Sequence, residues 1–139
     1  MGKTIVISLV SILVLHLFGI GLDLYHVIWW YDIPMHIFGG AWVTLLFFHF
    51  FCQTFLIVDF KKILPAIIIT LGFVALVGVL WEFYEYLSDV YILKVHALYY
   101  APNPITLPDT MKDLLDDLIG GTIASAILFA RSKKSNPEQ

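Results

Sequence analysis

Residues 63–86 read ILPAIIITLGFVALVGVLWEFYEY. From residue 63 to residue 81, 19 residues pass without a charge, close to the roughly 20 apolar residues that a helix needs to cross hydrocarbon. The run then ends in Glu82 and Glu85, three apart and so on one helix face, among Trp81, Phe83, Tyr84 and Tyr86. The apolar part predicts a membrane span. Its ending raises a question, because the aromatic side chains would anchor a helix at the interface without any carboxylate.

The rest of the chain has the same character. Its 139 residues are 60% hydrophobic and 14% charged, with a mean hydropathy of +0.86, outside the range of a soluble domain. Residues 4–22 and 33–58 also lack Asp, Glu, Lys and Arg. Residues 118–130 are clean for only 13 positions, a run that lengthens once the acidic turn 113–117 joins the same helix. These patterns predict an all-α, polytopic membrane protein: a four-helix transmembrane bundle with spans at about 4–22, 33–58, 63–85 and 109–130. They form one domain over 1–131, with a tail at 132–139. The first span follows Lys3 as a signal peptide would, but it is long for one and lacks an A-x-A-like cleavage site, so it is read as retained. Cys52 is the only cysteine, which excludes an internal disulfide and leaves packing as its role.

Charge sorts by side. With four spans, the N-terminus, the loop near 59–62 and the tail share one face, and they hold Lys3, Lys61, Lys62, Arg131, Lys133 and Lys134, six of the eight basic residues. The positive-inside rule places that face, and both termini, in the cytoplasm of a cell membrane, inner or plasma. The opposite face takes nine of the eleven acids, opposed only by Lys94 and Lys112. These few cytoplasmic basic residues follow from topology and give no nucleic-acid signal.

The chain also repeats itself. Asp23-x-Tyr25-His26 matches Glu82-x-Tyr84-Glu85, and Asp32-x3-His36-x2-Gly39-Gly40 matches Asp113-x3-Asp117-x2-Gly120-Gly121, as two parallel helical hairpins would. Asp109, Asp113, Asp116 and Gly120 follow one helical stripe, with Asp117 beside it and Ala124 continuing it. Gly120-x3-Ala124 is a small-x3-small surface that admits a close helix neighbour, and the two glycine pairs are expected to bring the polar ends of the second and fourth spans together. Asp32 and Asp109 also read as N-caps, the latter within a Thr106-x-x-Asp109 capping box. Capping and the helix dipole account for one or two carboxylates. They do not account for so many beside one another, since ionisable groups in membrane helices are costly.

A bound divalent cation is the economical counter-ion. The candidate ligands are Asp32, His36, Glu82, Glu85, Asp109, Asp113, Asp116 and Asp117, mostly oxygen donors suited to Mg, Mn, Fe or Zn. Helical bundles build such carboxylate–His sites from facing helices. His16, inside the first span, is placed within reach of the cluster. His49 lies 13 residues beyond His36, about 20 Å at helical rise, and is set aside. His26 and His96 read as polar loop residues. The loop YYAPNPITLPD, 99–109, reads as a linker or as a lid over the acids.

Trp81-Glu82 with Glu85, and Asp109-Thr110-x2-Asp113-Leu114-x2-Asp117-x2-Gly120, resemble the YjdF family of small prokaryotic inner-membrane proteins across the second to fourth spans. More distantly, Asp32, His36, Asp113 and Gly120 resemble the VanZ-like proteins linked to glycopeptide resistance. Ile33 stands where that pattern has a basic residue, Asp117 where it has Asn, and no arginine lies on the acidic side. Neither resemblance names a reaction.

Three functions remain open on these grounds. The first is a metal-dependent hydrolase or transferase acting on a lipid or lipid-linked headgroup, with Glu82 and Glu85 as candidate catalytic bases. The second is a cation or proton transporter, for which a homodimer would supply the room that four spans lack. The third is a non-catalytic scaffold or assembly protein whose acids bind cations for stability.

Overall fold

A computed structural model describes residues 2–59, 62–93 and 107–135 of the chain. It is all-helical: α1 (Gly2–Gly21), a short α2 (Leu24–Val27), α3 (Asp32–Phe47) continued by π-helical turns over Phe48–Thr54, α4 (Ile63–Leu87) followed by π-turns over Ser88–Leu93, and α5 (Leu107–Ser135). There is no strand among the described residues. Three of the four long helices, Gly2–Gly21, Asp32–Thr54 and Ile63–Leu87, are long and apolar enough to cross a membrane. The fourth, α5, has the length, 29 residues, but bears acids at one end and basic residues at the other. The helical solution follows from the solvent, because in hydrocarbon every backbone N–H and C=O must be satisfied within its own segment.

The principal interface joins α3 and α5, with α4 laid against both. Glycine sets its closeness. A Cβ at Gly40 would overlap the Asp117 backbone, and one at Gly120 would overlap the Ile37 carbonyl. Each helix therefore seats its glycine on the other's main chain, the small-residue contact expected of the two glycine pairs. From α4, the buried stripe Ala66, Thr70, Val74 and Gly78 repeats every four residues and meets α5 near Gly121, whose Cβ would stand 3.1 Å from Val74 Cγ2. On α5 the complementary face runs through Asp113, Asp117, Gly120, Ala124 and Leu128, all buried.

By contrast, α1 is peripheral: only Ile5 and Gly19 are buried. It is tied down at its two ends. Near one end the Trp42 indole donates to the Ile5 carbonyl at 2.9 Å. Near the other the Tyr31 hydroxyl donates to the Leu15 carbonyl at 2.8 Å, and the rings of Tyr25 and Tyr31 lie on Gly19, where a Cβ would come within 2.7 Å of both.

Several local expectations are corrected. Neither aspartate is an N-cap: Tyr31 caps α3, with Asp32 as its first residue, and Asp109 sits inside the first turn of α5. Asp32 is turned instead toward His36 and Lys112. The second helical stretch ends at Thr54, not at 58. There Leu56 takes a left-handed φ of 55°, and the amides of Ile57 and Val58 return to the Phe51 carbonyl at 2.9 and 3.1 Å, which closes the widened last turn. The proposed repeat also diverges, since Asp23 adopts φ 57° in the turn after α1 while its counterpart Glu82 lies within α4. Lys94, His96, Thr106 and most of the loop 99–109 fall outside the described residues, as does the His26 side chain.

Candidate metal centre

His36 stands at the crossing of α3 and α5, and only 4% of it is exposed. Its two ring nitrogens face carboxylates from both helices. Nε2 lies 3.4 Å from Asp32 Oδ1 and 3.9 Å from Asp113 Oδ1; Nδ1 lies 3.4 Å from Asp117 Oδ1. The spacing has the helical origin read from the sequence, because Asp32 and His36, like Asp113 and Asp117, are four apart and share a face. Glycine makes the room. Gly39 lies beside Asp117 Oδ1, where a Cβ would stand 3.7 Å away, and Gly78 of α4 faces Oδ2, where a Cβ would come to 2.5 Å. The Asp117 carboxylate thus occupies a slot between three helices that only small residues leave open.

From α4, Glu82 and Glu85 complete the cluster. Ligand atoms of His36, Glu82 and Glu85 lie within 4.8 Å of one another, as do those of Asp32, His36 and Asp113. Glu82 Oε1 is sealed from solvent and has no hydrogen-bond partner among the described residues. An unmatched carboxylate oxygen in such a place leaves a large desolvation cost uncompensated.

The distances discriminate between two kinds of contact. Charge-assisted N–H···O bonds close to about 2.7–2.9 Å, and the His36 pairs are longer than that by half an ångström or more. Ligand atoms held by one cation at about 2.1 Å stand about 3.0–3.4 Å apart in octahedral or tetrahedral geometry; at Nε2, Asp32 Oδ1 stands at 3.4 Å and Asp113 Oδ1 at 3.9 Å, while Asp117 faces Nδ1 on the other side of the ring. The donor set, one imidazole with carboxylate oxygens, suits a hard or borderline divalent ion.

One protein cation enters the cluster as well. Lys112 Nζ lies 2.6 Å from Asp113 Oδ1 and 3.5 Å from both Asp32 Oδ2 and Asp109 Oδ1. It neutralises part of the charge that the sequence reading left to a metal. The signal was present in the chain, since Lys112 adjoins Asp113 and lies three residues from Asp109. Asp109, Asp116 and Asp117, expected as ligands, stand outside both ligand groups. Asp109 is half exposed at the mouth. Asp116 is buried, with Oδ2 unpartnered among the described residues, but it is rotated about 100° from Asp117 around α5.

The cluster forms one end of a cleft. A cavity of about 150 Å³ runs between α1, α3 and α4, with apolar walls that include Leu9, Ile12, Val43, Val74 and Val77, and with His16, Tyr25, Asp32, His36, Glu85 and Asp117 at its polar end. His16, unlike His49, therefore reaches the site. Its Nδ1 is 2.7 Å from the Tyr25 hydroxyl, and its ring meets Trp81 edge-on at 5.5 Å. Tyr25, in α2 outside the spans, has its phenol pushed well above the ordinary value by burial and then by the Asp32 charge. It is held as a neutral hydroxyl. His49 contacts Gln53 at 3.4 Å on the π-helical turns beyond α3.

An all-helical bundle with membrane-length apolar helices and an acidic, imidazole-centred cluster at one end defines a membrane protein. The chain belongs to the family described as predicted membrane protein DUF2238, whose model it matches over residues 1–134, in keeping with the YjdF-like resemblance. No curated protein and no solved structure matches the chain.

Proposed function

We propose that this protein binds a divalent cation through His36 and the carboxylates of Asp32, Asp113, Glu82 and Glu85, with Asp117 fixing the imidazole, and acts as a metal-dependent hydrolase or transferase on the headgroup of a membrane amphiphile. One observation carries the reading: the polar end of an apolar cleft and the carboxylate–imidazole cluster are the same place, sharing Asp32, His36 and Glu85. A site that processes an amphiphile needs that adjacency. The sorting of charge supports a site on the extracytoplasmic side, with both termini in the cytoplasm.

A cation there would polarise a phosphoryl or acyl oxygen and make a bound water more acidic. The chain's own residues would do the rest. Asp117, fixed in its glycine-lined slot, orients the His36 ring through Nδ1 and leaves Nε2 toward Asp32 and Asp113. Glu82 and Glu85 stand on the α4 side of His36 as groups able to accept a proton. Burial of the cluster excludes bulk water and strengthens each of these interactions.

The test is metal analysis of detergent-purified protein. Wild-type protein is expected to carry close to one equivalent of a divalent ion after dialysis. His36→Ala and Asp117→Asn should each lose most of it while the helical content is retained. Equal metal in wild type and both variants, or none in any, rejects the centre. Lys112 favours one second reading, a non-catalytic protein whose cluster is held by its own cation. In that case chelation leaves the melting temperature unchanged, and added divalent ion does not restore what Lys112→Met loses.

A further inference from the structure

α1 is attached at its ends and open under its middle. Trp42 holds Ile5, and Tyr25 and Tyr31 hold the region of Leu15 and Gly19. Between those attachments Leu9, Ile12 and His16, on one helical stripe, face α4 across the cavity and do not fill it. Protein interiors rarely leave such a gap. An apolar space of about 150 Å³ takes up a small hydrocarbon, and at the apolar end of this cavity, within a membrane, the available filler is a segment of lipid chain.

The polar end of this gap is built for a purpose of its own. Residues 22–31 fold back over α1, and Gly19 is the position that allows the Tyr25 and Tyr31 rings, 5.1 Å apart, to lie on the helix. The product of that arrangement is the Tyr25 hydroxyl at His16 Nδ1, with Trp81 closing the other side of the imidazole. When the tyrosine donates to Nδ1, Nε2 carries the proton, so the ring becomes a hydrogen-bond donor of fixed orientation. No other residue of α1 bears an ionisable side chain except Lys3 at its start, and an ionisable residue within a membrane helix is a functional candidate.

We propose that the cleft under α1 holds one hydrocarbon chain of a phosphoryl-headed lipid, and that His16, oriented by Tyr25, donates a hydrogen bond to its headgroup beside the cation centre. The headgroup half rests on the metal reading above, because five carboxylates around His36 would repel a phosphoryl group without a cation. The chain half does not.

Trp42 and Trp81 line the cleft, although Trp81 is also 37% exposed, whereas Trp29 and Trp30 lie outside it, so brominated chains can be read by the saturable part of the fluorescence quenching in a Trp29→Phe, Trp30→Phe background. The probes are bromoundecyl phosphate, bromoundecanol and bromoundecyl-trimethylammonium, added to full-length protein in phosphatidylcholine nanodiscs. Saturable quenching is expected, with the phosphate acting at about tenfold lower mole fraction than the alcohol or the ammonium.

Gly39→Leu should abolish saturation, since Gly39 lines the cleft and a Cβ there meets Asp117 Oδ1 only at an ordinary contact distance of 3.7 Å, so that the longer side chain would enter the cleft. Ile12→Phe fills the gap from the opposite wall and should act likewise. His16→Gln should retain saturation and metal content but lose the phosphate preference, and Tyr25→Phe should lose part of it. Quenching that rises linearly with probe and is equal in Gly39→Leu and Ile12→Phe means contact with bulk lipid only and overturns the chain site. Equal action of the three heads on metal-loaded wild type overturns the role of His16. Saturable quenching in a protein that holds no metal sinks the metal centre while leaving the chain site standing.

Discussion

Alanine at Gly40 or Gly120 should loosen the fold and the site together. In both places the added methyl would meet backbone, the main chain of Asp117 in one case and the Ile37 carbonyl in the other. A backbone cannot rotate away as a side chain can, so α3 and α5 would have to separate by on the order of 1 Å before ordinary contact is restored. Overpacking of this kind costs about 1–3 kcal/mol, far above the roughly 0.5–1 kcal/mol by which Gly→Ala favours a helix. The same separation would pull His36 from Asp117 and Asp113, which belong to the opposite helix. Disturbing the partners that orient metal ligands costs about 10–100-fold in affinity. The measurement is a pair of titrations on each variant, unfolding in detergent followed by circular dichroism and cation binding by calorimetry. Gly72→Ala is the control, because a Cβ there has nothing within 4 Å; it should unfold no earlier than wild type. If Gly120→Ala is as stable as Gly72→Ala, the glycine crossing does not set the distance between α3 and α5, and the account of how the cluster is assembled is wrong.

Replacing Lys112 by Met should cost about 1–2 kcal/mol in the absence of divalent cations, less than the 3–5 kcal/mol of a fully buried broken pair because Lys112 is 37% exposed. Added Mg or Mn should restore the loss, and the variant's melting temperature with and without the ion checks this. Trp42→Phe removes the bond to Ile5, so protease cleavage within residues 2–12 should become faster while the α3–α5 interface keeps its stability. Tyr25 gives a pH prediction. Its phenol is raised in the folded state, so the folded protein keeps that proton when the unfolded chain has lost it. Stability from this group is full below the ordinary tyrosine value of about 10 and falls as pH rises above it. Ultraviolet titration should show a tyrosine that ionises well above the ordinary value of about 10, and its disappearance in Tyr25→Phe identifies it.

What the sequence disclosed follows from what a pattern can encode. The uncharged runs identified the helices because hydrocarbon forbids unpaired backbone over that length. Asp32-x3-His36 and Asp113-x3-Asp117 gave the site because four-residue spacing fixes a shared face, and the neighbouring glycines gave the crossing that joins the two faces. Lys112 was legible beside Asp109 and Asp113 in the chain, but its third partner, Asp32, lies 80 positions away. The caps were misplaced for a related reason: Asp32 has the composition of a cap, but His36 and Lys112 compete for its carboxylate. The cleft left no mark on the sequence at all. It is a property of where α1 is tied, and two of the ties are single bonds from Trp42 and Tyr31 to backbone carbonyls that any residue would offer.

The clustered acids gain meaning from that last point. Carboxylates at the end of a membrane helix are explained by the interface alone when they point outward, as Asp109 does. Asp113 and Asp117 point inward, and the fold places two glycines, Gly40 and Gly78, where any Cβ would collide with Asp117 beside His36. Each glycine weakens its own helix, and each could be exchanged for a larger apolar residue if the aim were only a tight bundle, since well-packed apolar replacements of buried ion pairs are commonly neutral or stabilising. A bundle that accepts both the buried charges and the small residues needed to bring them together is not arranged for stability. It is arranged so that the imidazole of α3, the carboxylates of α5 and the glutamates of α4 share one small volume at the head of a hydrocarbon-walled cleft, and this answers why the apolar run of α4 ends in Glu82 and Glu85.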